Sequence, residues 1–96
     1  MELRQVDHLL LQNRLELDRH GVKSLAVFGS VARGEATENS DLDVLVEFSR
    51  PVGLFEFIRL KKFLEDLTEN QVDLVTKDAL HPAMRESILS EAKYVG

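Results

Sequence analysis

Three short apolar runs constrain this chain more than any other feature: VKSLAVFG from Val22 to Gly29, LDVLVEF from Leu42 to Phe48, and QVDLVT from Gln71 to Thr76. Each is too short for a buried helix, carries β-branched residues and is bounded by Gly, Pro or polar residues, the pattern of strands. Around them lie segments of helical period. Leu3, Val6, Leu10 and Leu17, with Leu9 beside them, form one apolar stripe. Arg19 and His20 suit the negative end of a helix dipole and Gly21 a left-handed cap, so a helix is expected over residues 2–20. Ser30 can open a short helix. In LFEFIRLKKFLEDL the residues Leu54, Phe57, Ile58, Leu60, Leu64 and Leu67 are expected on one core-facing side, and HPAMRESILSEAKYV reads as a last helix with Pro82 at a favoured first position.

The expected order is therefore α, β, short α, β, α, β, α. That is an α/β (α+β) fold: a compact core with a short mixed sheet of three strands or slightly more, flanked by about four helices. No repeat, low-complexity tract or long linker divides the 96 residues, so one domain over 1–96 is expected, with no length left for a separate substrate-recognition domain.

Composition narrows the function. Hydrophobic residues at 44% and charged residues at 30% describe a folding globular chain. Twelve Lys+Arg against seventeen Asp+Glu leave a net charge of -5, which opposes binding to a long nucleic acid backbone. The absence of cysteine removes disulfides, thiolate nucleophiles and sulfur-ligated metals. No stretch approaches about 18 consecutive apolar residues, so neither export nor membrane insertion is expected and the cytoplasm is the default.

The chemistry is concentrated in FGSVARGEATENSDLDVLVEF, residues 28–48. Residues two apart in a strand share a face at roughly 6 to 7 Å, so Asp41 and Asp43 project side by side while Leu42, Val44 and Val46 face the core. If QVDLVT is the neighbouring strand, Asp73 lies about 5 Å across the ladder. Standing between Val72 and Leu74, it also reads as an inward-facing carboxylate in want of a partner. Three adjoining carboxylates repel one another unless a cation neutralises them, and hard oxygen ligands call for Mg²⁺. Two such ions about 3.5 to 4 Å apart would stabilise attacking and leaving oxygens in an in-line displacement at phosphorus. Gly29 lets an anion approach the backbone, and the Ser30 hydroxyl with the free amides of a first helical turn would face a phosphate. Arg33 is a further phosphate contact. His8, His20 and His81 lack ligand-like spacing and are assigned surface or capping roles; Glu35, Glu38 and Glu47 are assigned to solvated faces, Glu47 being the one that shares strand parity with the aspartates.

Gly29-Ser30, ten residues, Asp41-x-Asp43 and a third acid in VDLV resemble the signature of the nucleotidyltransferase superfamily that includes DNA polymerase β. More closely, GSVARGEATENSDLDVLVEF with QVDLVTKDALHPAMRESILSEAKYV resembles the minimal nucleotidyltransferases, the MNT or MntA-type proteins, from about Lys23 to Tyr94. The resemblance implies Asp41, Asp43 and Asp73 as ligands of two Mg²⁺ ions, Gly29 and Ser30 in a nucleotide-binding turn, and ATP as substrate. It also implies a partner, a HEPN-domain ribonuclease toxin encoded by the adjacent gene, silenced in a hetero-oligomeric pair by transfer of AMP to a tyrosine hydroxyl. Asp73 would help deprotonate that hydroxyl. Two other functions fit the same residues: nucleotidyl transfer to a small molecule, and an antitoxin that blocks its partner by contact alone.

Overall fold

The computed structural model describes residues 2–37 and 39–95. Among these, four strands form one mixed sheet in the order β3-β2-β1-β4. They are β1 (Val22–Phe28), β2 (Leu42–Phe48), β3 (Val72–Thr76) and β4 (Lys93–Val95). β2 runs parallel to β3 and antiparallel to β1, and β4 closes antiparallel onto the other side of β1. The helices are α1 (Leu3–Gln12), α2 (Arg14–Arg19), α3 (Gly29–Arg33), α4 (Leu54–Thr68) and α5 (Pro82–Glu91), with a 3₁₀ turn over Lys77–Ala79.

Strand alternation divides the core into two layers. Leu25, Val27, Leu42, Val44, Val46, Val72 and Leu74 point to the face covered by α1, α2 and α4, where Val6, Leu10, Leu17, Leu60 and Leu64 meet them. Ala26, Phe28 and Leu45 point the other way, beneath Leu80 and the inner side of α5 at Ile88. The odd-numbered positions of β2 and β3, Asp43 and Asp73 included, belong to this second face.

Three sequence expectations change. The helix over residues 2–20 breaks at Asn13, whose backbone leaves the helical region (φ -112°, ψ 24°) and whose side-chain amide donates to the Leu9 carbonyl at 2.8 Å. The break lets Leu17 rejoin the core after a change of direction, and the expected left-handed Gly21 (φ 80°) follows. In α4 Leu54 and Ile58 are 71% and 51% exposed, not core-facing. A helix turns about 100° per residue, so Ile58, two residues from the buried Leu60, points nearly away from it. The last helix ends at Glu91. Ala92 is extended (φ -62°, ψ 135°), and Lys93–Val95 pair with β1, which would otherwise present an open edge. At the start of α5, Pro82 stands in the first turn and His81 Nδ1 accepts from the Ala83 amide at 3.1 Å, the capping role expected of a histidine here.

Candidate active site

The sheet topology brings the end of β1 and the starts of β2 and β3 to one place. Asp43 is register partner of Phe28 on one side and of Asp73 on the other. Adjacent strands lie about 4.8 Å apart, so the row Phe28, Asp43, Asp73 crosses the sheet within two strand spacings. Asp41 sits one residue before β2 and is exposed; Asp43 is half-buried. Asp73 is exposed rather than inward-facing, because Val72 and Leu74 on either side of it take the core face of β3 and leave it on the opposite one.

Gly29 follows Phe28 directly. Its φ of +73° is one that side-chain-bearing residues rarely adopt, and a Cβ built there would collide with the carboxylate of Asp43. The glycine thus admits the Asp43 carboxylate to the strand end, a closer constraint than the approach of an anion expected from sequence. α3 begins at Gly29, one residue before the Ser30 expected to open it, and ends at the left-handed Gly34 with the Glu35 amide donating to the Ser30 carbonyl at 2.9 Å.

The electrostatics carry the mark of crowding. Asp43 holds its proton more tightly than an ordinary aspartate, first because of burial and then because of the charges of Asp73 and Asp41; Arg33 acts in the opposite sense. Among the described residues no group of three or more His, Cys, Asp or Glu side chains is gathered closely enough to hold a metal ion as they stand. The three aspartates form instead an open, solvent-facing row. Of the dismissed acids, Glu47 lies toward the far end of β2 and is engaged by Lys23 at 3.6 Å and Lys77 at 3.4 Å, which lower its proton affinity. Glu35 pairs with Arg33, and Glu38 lies outside the described residues.

Arg33 does face this end of the sheet, but a protein group holds it. Its Nη1 donates to Glu91 Oε2 at 3.0 Å and its Nε to Glu35 Oε2 at 3.3 Å. The other oxygen of Glu91 accepts from the Gly29 amide at 3.2 Å. Sequence reasoning missed Glu91. It lies at the last turn of α5, 62 residues from Gly29, with no spacing that ties it to the motif.

Two clefts matter for orientation. One of about 380 Å³ opens beside the outer strand, lined by Asp41, Lys61, Glu65, Gln71, Val72 and Asp73. A larger one, about 710 Å³, lies at the opposite end of β2 around Phe48, Arg50 and Arg85, away from the aspartates.

With this geometry in hand, comparison with known proteins is decisive for the family. Residues 10–95 match the family model described as nucleotidyltransferase domain. The chain is 41% identical over 96 residues to the protein adenylyltransferase MntA of Thermococcus cleftensis, spanning 99% of this chain and 97% of that protein. It is 40% identical over 95 residues, 97% of each chain, to a Methanocaldococcus jannaschii protein assigned as a protein adenylyltransferase. A solved structure assigned as a minimal nucleotidyltransferase superposes with a TM-score of 0.81 at 43% identity, covering 96% of this chain and 94% of that one. A toxin–antitoxin structure with AMP-PNP shares the fold at a TM-score of 0.73 and 19% identity, over 92% of this chain and 70% of that one. A nucleotidyltransferase domain over residues 10–95 and end-to-end relatives named protein adenylyltransferases make this chain a nucleotidyl-transferring enzyme. The chain belongs to the nucleotidyltransferase domain family.

Proposed function

We propose that this protein transfers AMP from ATP to a tyrosine hydroxyl of a HEPN-domain ribonuclease toxin encoded beside it, and so acts as its cytoplasmic antitoxin. The observation that carries the reading is the Asp43–Asp73 register beside the Gly29 turn, on a chain that aligns from end to end with a protein adenylyltransferase.

Asp41, Asp43 and Asp73 would hold Mg²⁺. The donor set suits that ion: three hard carboxylates at one end of the sheet, Asp41 and Asp73 exposed and Asp43 half-buried, leave positions for water and phosphate oxygens. Bound there, the metal would neutralise charge developing on the attacking and leaving oxygens. Gly29 and Ser30 would receive the β- and γ-phosphates through backbone amides and the serine hydroxyl, with Arg33 adding a charge-assisted contact.

The strand order favours one direction of attack in this reading. The leaving pyrophosphate would lie on the β1 side of Asp43, so an in-line nucleophile arrives from the β3 side, over Asp73 and the cleft of about 380 Å³. The acceptor hydroxyl forms its bond to the α-phosphorus, the bond to pyrophosphate breaks with its electron pair, and the hydroxyl proton passes to a carboxylate oxygen of Asp73. That cleft is open, which suits an acceptor presented by a second protein.

The test is direct. Purified protein incubated with ATP, Mg²⁺ and the toxin is expected to yield toxin heavier by AMP units in intact-mass analysis. Unmodified toxin in preparations that still bind it would overturn the reading. In the same assay Arg33→Ala is expected to raise the KM for ATP about tenfold, the worth of one charge-assisted hydrogen bond. A purely steric antitoxin is separated by Asp41→Asn combined with Asp43→Asn: neutralisation should disappear while binding to the toxin survives.

A further inference from the structure

We propose that Glu91 is an internal competitor of the nucleotide, a carboxylate that occupies the position of a phosphate group and must withdraw before ATP binds. The inference rests on the nucleotidyltransferase reading above and adds to it a residue that sets nucleotide affinity.

The geometry is specific. One carboxylate oxygen accepts from the Gly29 amide at 3.2 Å and the other from Arg33 at 3.0 Å. These are two of the donors assigned to the triphosphate, one from backbone and one from a guanidinium, and a single anionic group spans both. Planar carboxylate and tetrahedral phosphate share this mode of recognition, two oxygens against a charged fork and an amide. Glu91 also stands beside the aspartates, because the Gly29 it holds directly follows Phe28, the register partner of Asp43. A triphosphate entering here would meet a carboxylate already using its donors.

Glu91 is also placed to leave. It is the last residue of α5; Ala92 has already left the helix, and the Glu91 side chain is 28% exposed. Rotation about its side-chain bonds, without unwinding of α5, frees the Gly29 amide and Arg33 together. Arg33 stays paired with Glu35 at 3.3 Å, so it keeps an anchor while its other nitrogens turn to phosphate.

The opposite role makes the opposite prediction. If Glu91 served to orient Arg33 for the nucleotide, removing its charge would weaken binding; if it competes, removal tightens binding. Isothermal titration with Mg²⁺ and AMP-PNP, which is not turned over, reads the sign. Glu91→Gln is expected to lower the Kd about tenfold, with a parallel gain for inorganic pyrophosphate, since the competition is at the phosphate end. Glu91→Asp keeps the charge but shortens the reach, and is expected to bind more tightly than the natural protein. Thermal melting establishes that each variant is folded. The Gly29 amide resonance offers a readout free of ligand: in Glu91→Gln it should move from its position in the natural protein, in proportion to the lost carboxylate hydrogen bond. Equal or weaker AMP-PNP binding by folded Glu91→Gln and Glu91→Asp would overturn the competitor role while leaving the proposed function standing. Binding by neither the natural protein nor the variants would sink both.

Discussion

Asp43→Asn is expected to abolish nucleotidyl transfer and, at neutral pH, to raise the melting temperature. The two effects share one cause. Asp43 is held half-buried between Phe28 and Asp73, and burial, then the charges of Asp73 and Asp41, push its proton affinity above the ordinary aspartate value of 3.8. The sign follows from proton linkage. Between the unfolded and the raised folded value the native state binds more protons, so stability falls as pH rises through that window, and the deficit persists at pH 7. Asparagine keeps the shape and removes the charge. Its Tm should exceed that of the natural protein by a few degrees at pH 7, and the difference should vanish below the ordinary carboxylate range, where Asp43 is protonated in both states. Activity moves oppositely: residues that merely orient a metal ligand are worth about 10- to 100-fold, so losing Asp43, a ligand in the proposed site, should cost at least about 100-fold in kcat/KM. A calorimetric pH series with a transfer assay checks both, and a variant less stable than the natural protein at pH 7 would contradict the crowding argument.

What the sequence made legible was what depends on neighbours one to four residues away. Strand parity put Asp41 and Asp43 opposite to Leu42, Val44 and Val46, and the same alternation in QVDLVT put Asp73 on their face, because burial of Val72 and Leu74 admits only that orientation. Gly21 and Pro82 marked helix limits through backbone preferences carried by single residues. The illegible parts depend on distant partners. Lys93–Val95 has only three residues and no period; its strand state is imposed by the free side of β1. Asn13 breaks a continuous leucine pattern because its amide captures the Leu9 carbonyl. Glu91 reads as one more acid in a chain of net charge -5 until the fold places it on Gly29 and Arg33. The fold's order and its acidic row were thus readable, whereas the carboxylate held by the Gly29 amide and Arg33 was not.

Gly29→Ala should be the most damaging single-methyl change in the protein, and Gly34→Ala separates its two causes. Both glycines have φ +73°. A residue with a Cβ costs roughly 1–2 kcal/mol in that left-handed region, and for a domain of this size each kcal/mol lowers Tm by about 4–8 °C. At Gly34 nothing lies within 4 Å of the added carbon, so strain is the whole effect. That variant should melt several degrees lower and keep its transfer activity at temperatures where it is folded. At Gly29 the added methyl meets the Asp43 carboxylate itself, so the aspartate must swing from its place beside Asp73 or the β1–α3 turn must open. Either movement breaks the row of aspartates and shifts the amide that Glu91 now holds. The expected result is a Tm loss at least as large as that of Gly34→Ala, together with a fall in kcat/KM of about 100-fold or more, in the range of a displaced metal ligand. Comparable activity in the two folded variants would mean that the close approach of Gly29 to Asp43 has no part in building the site.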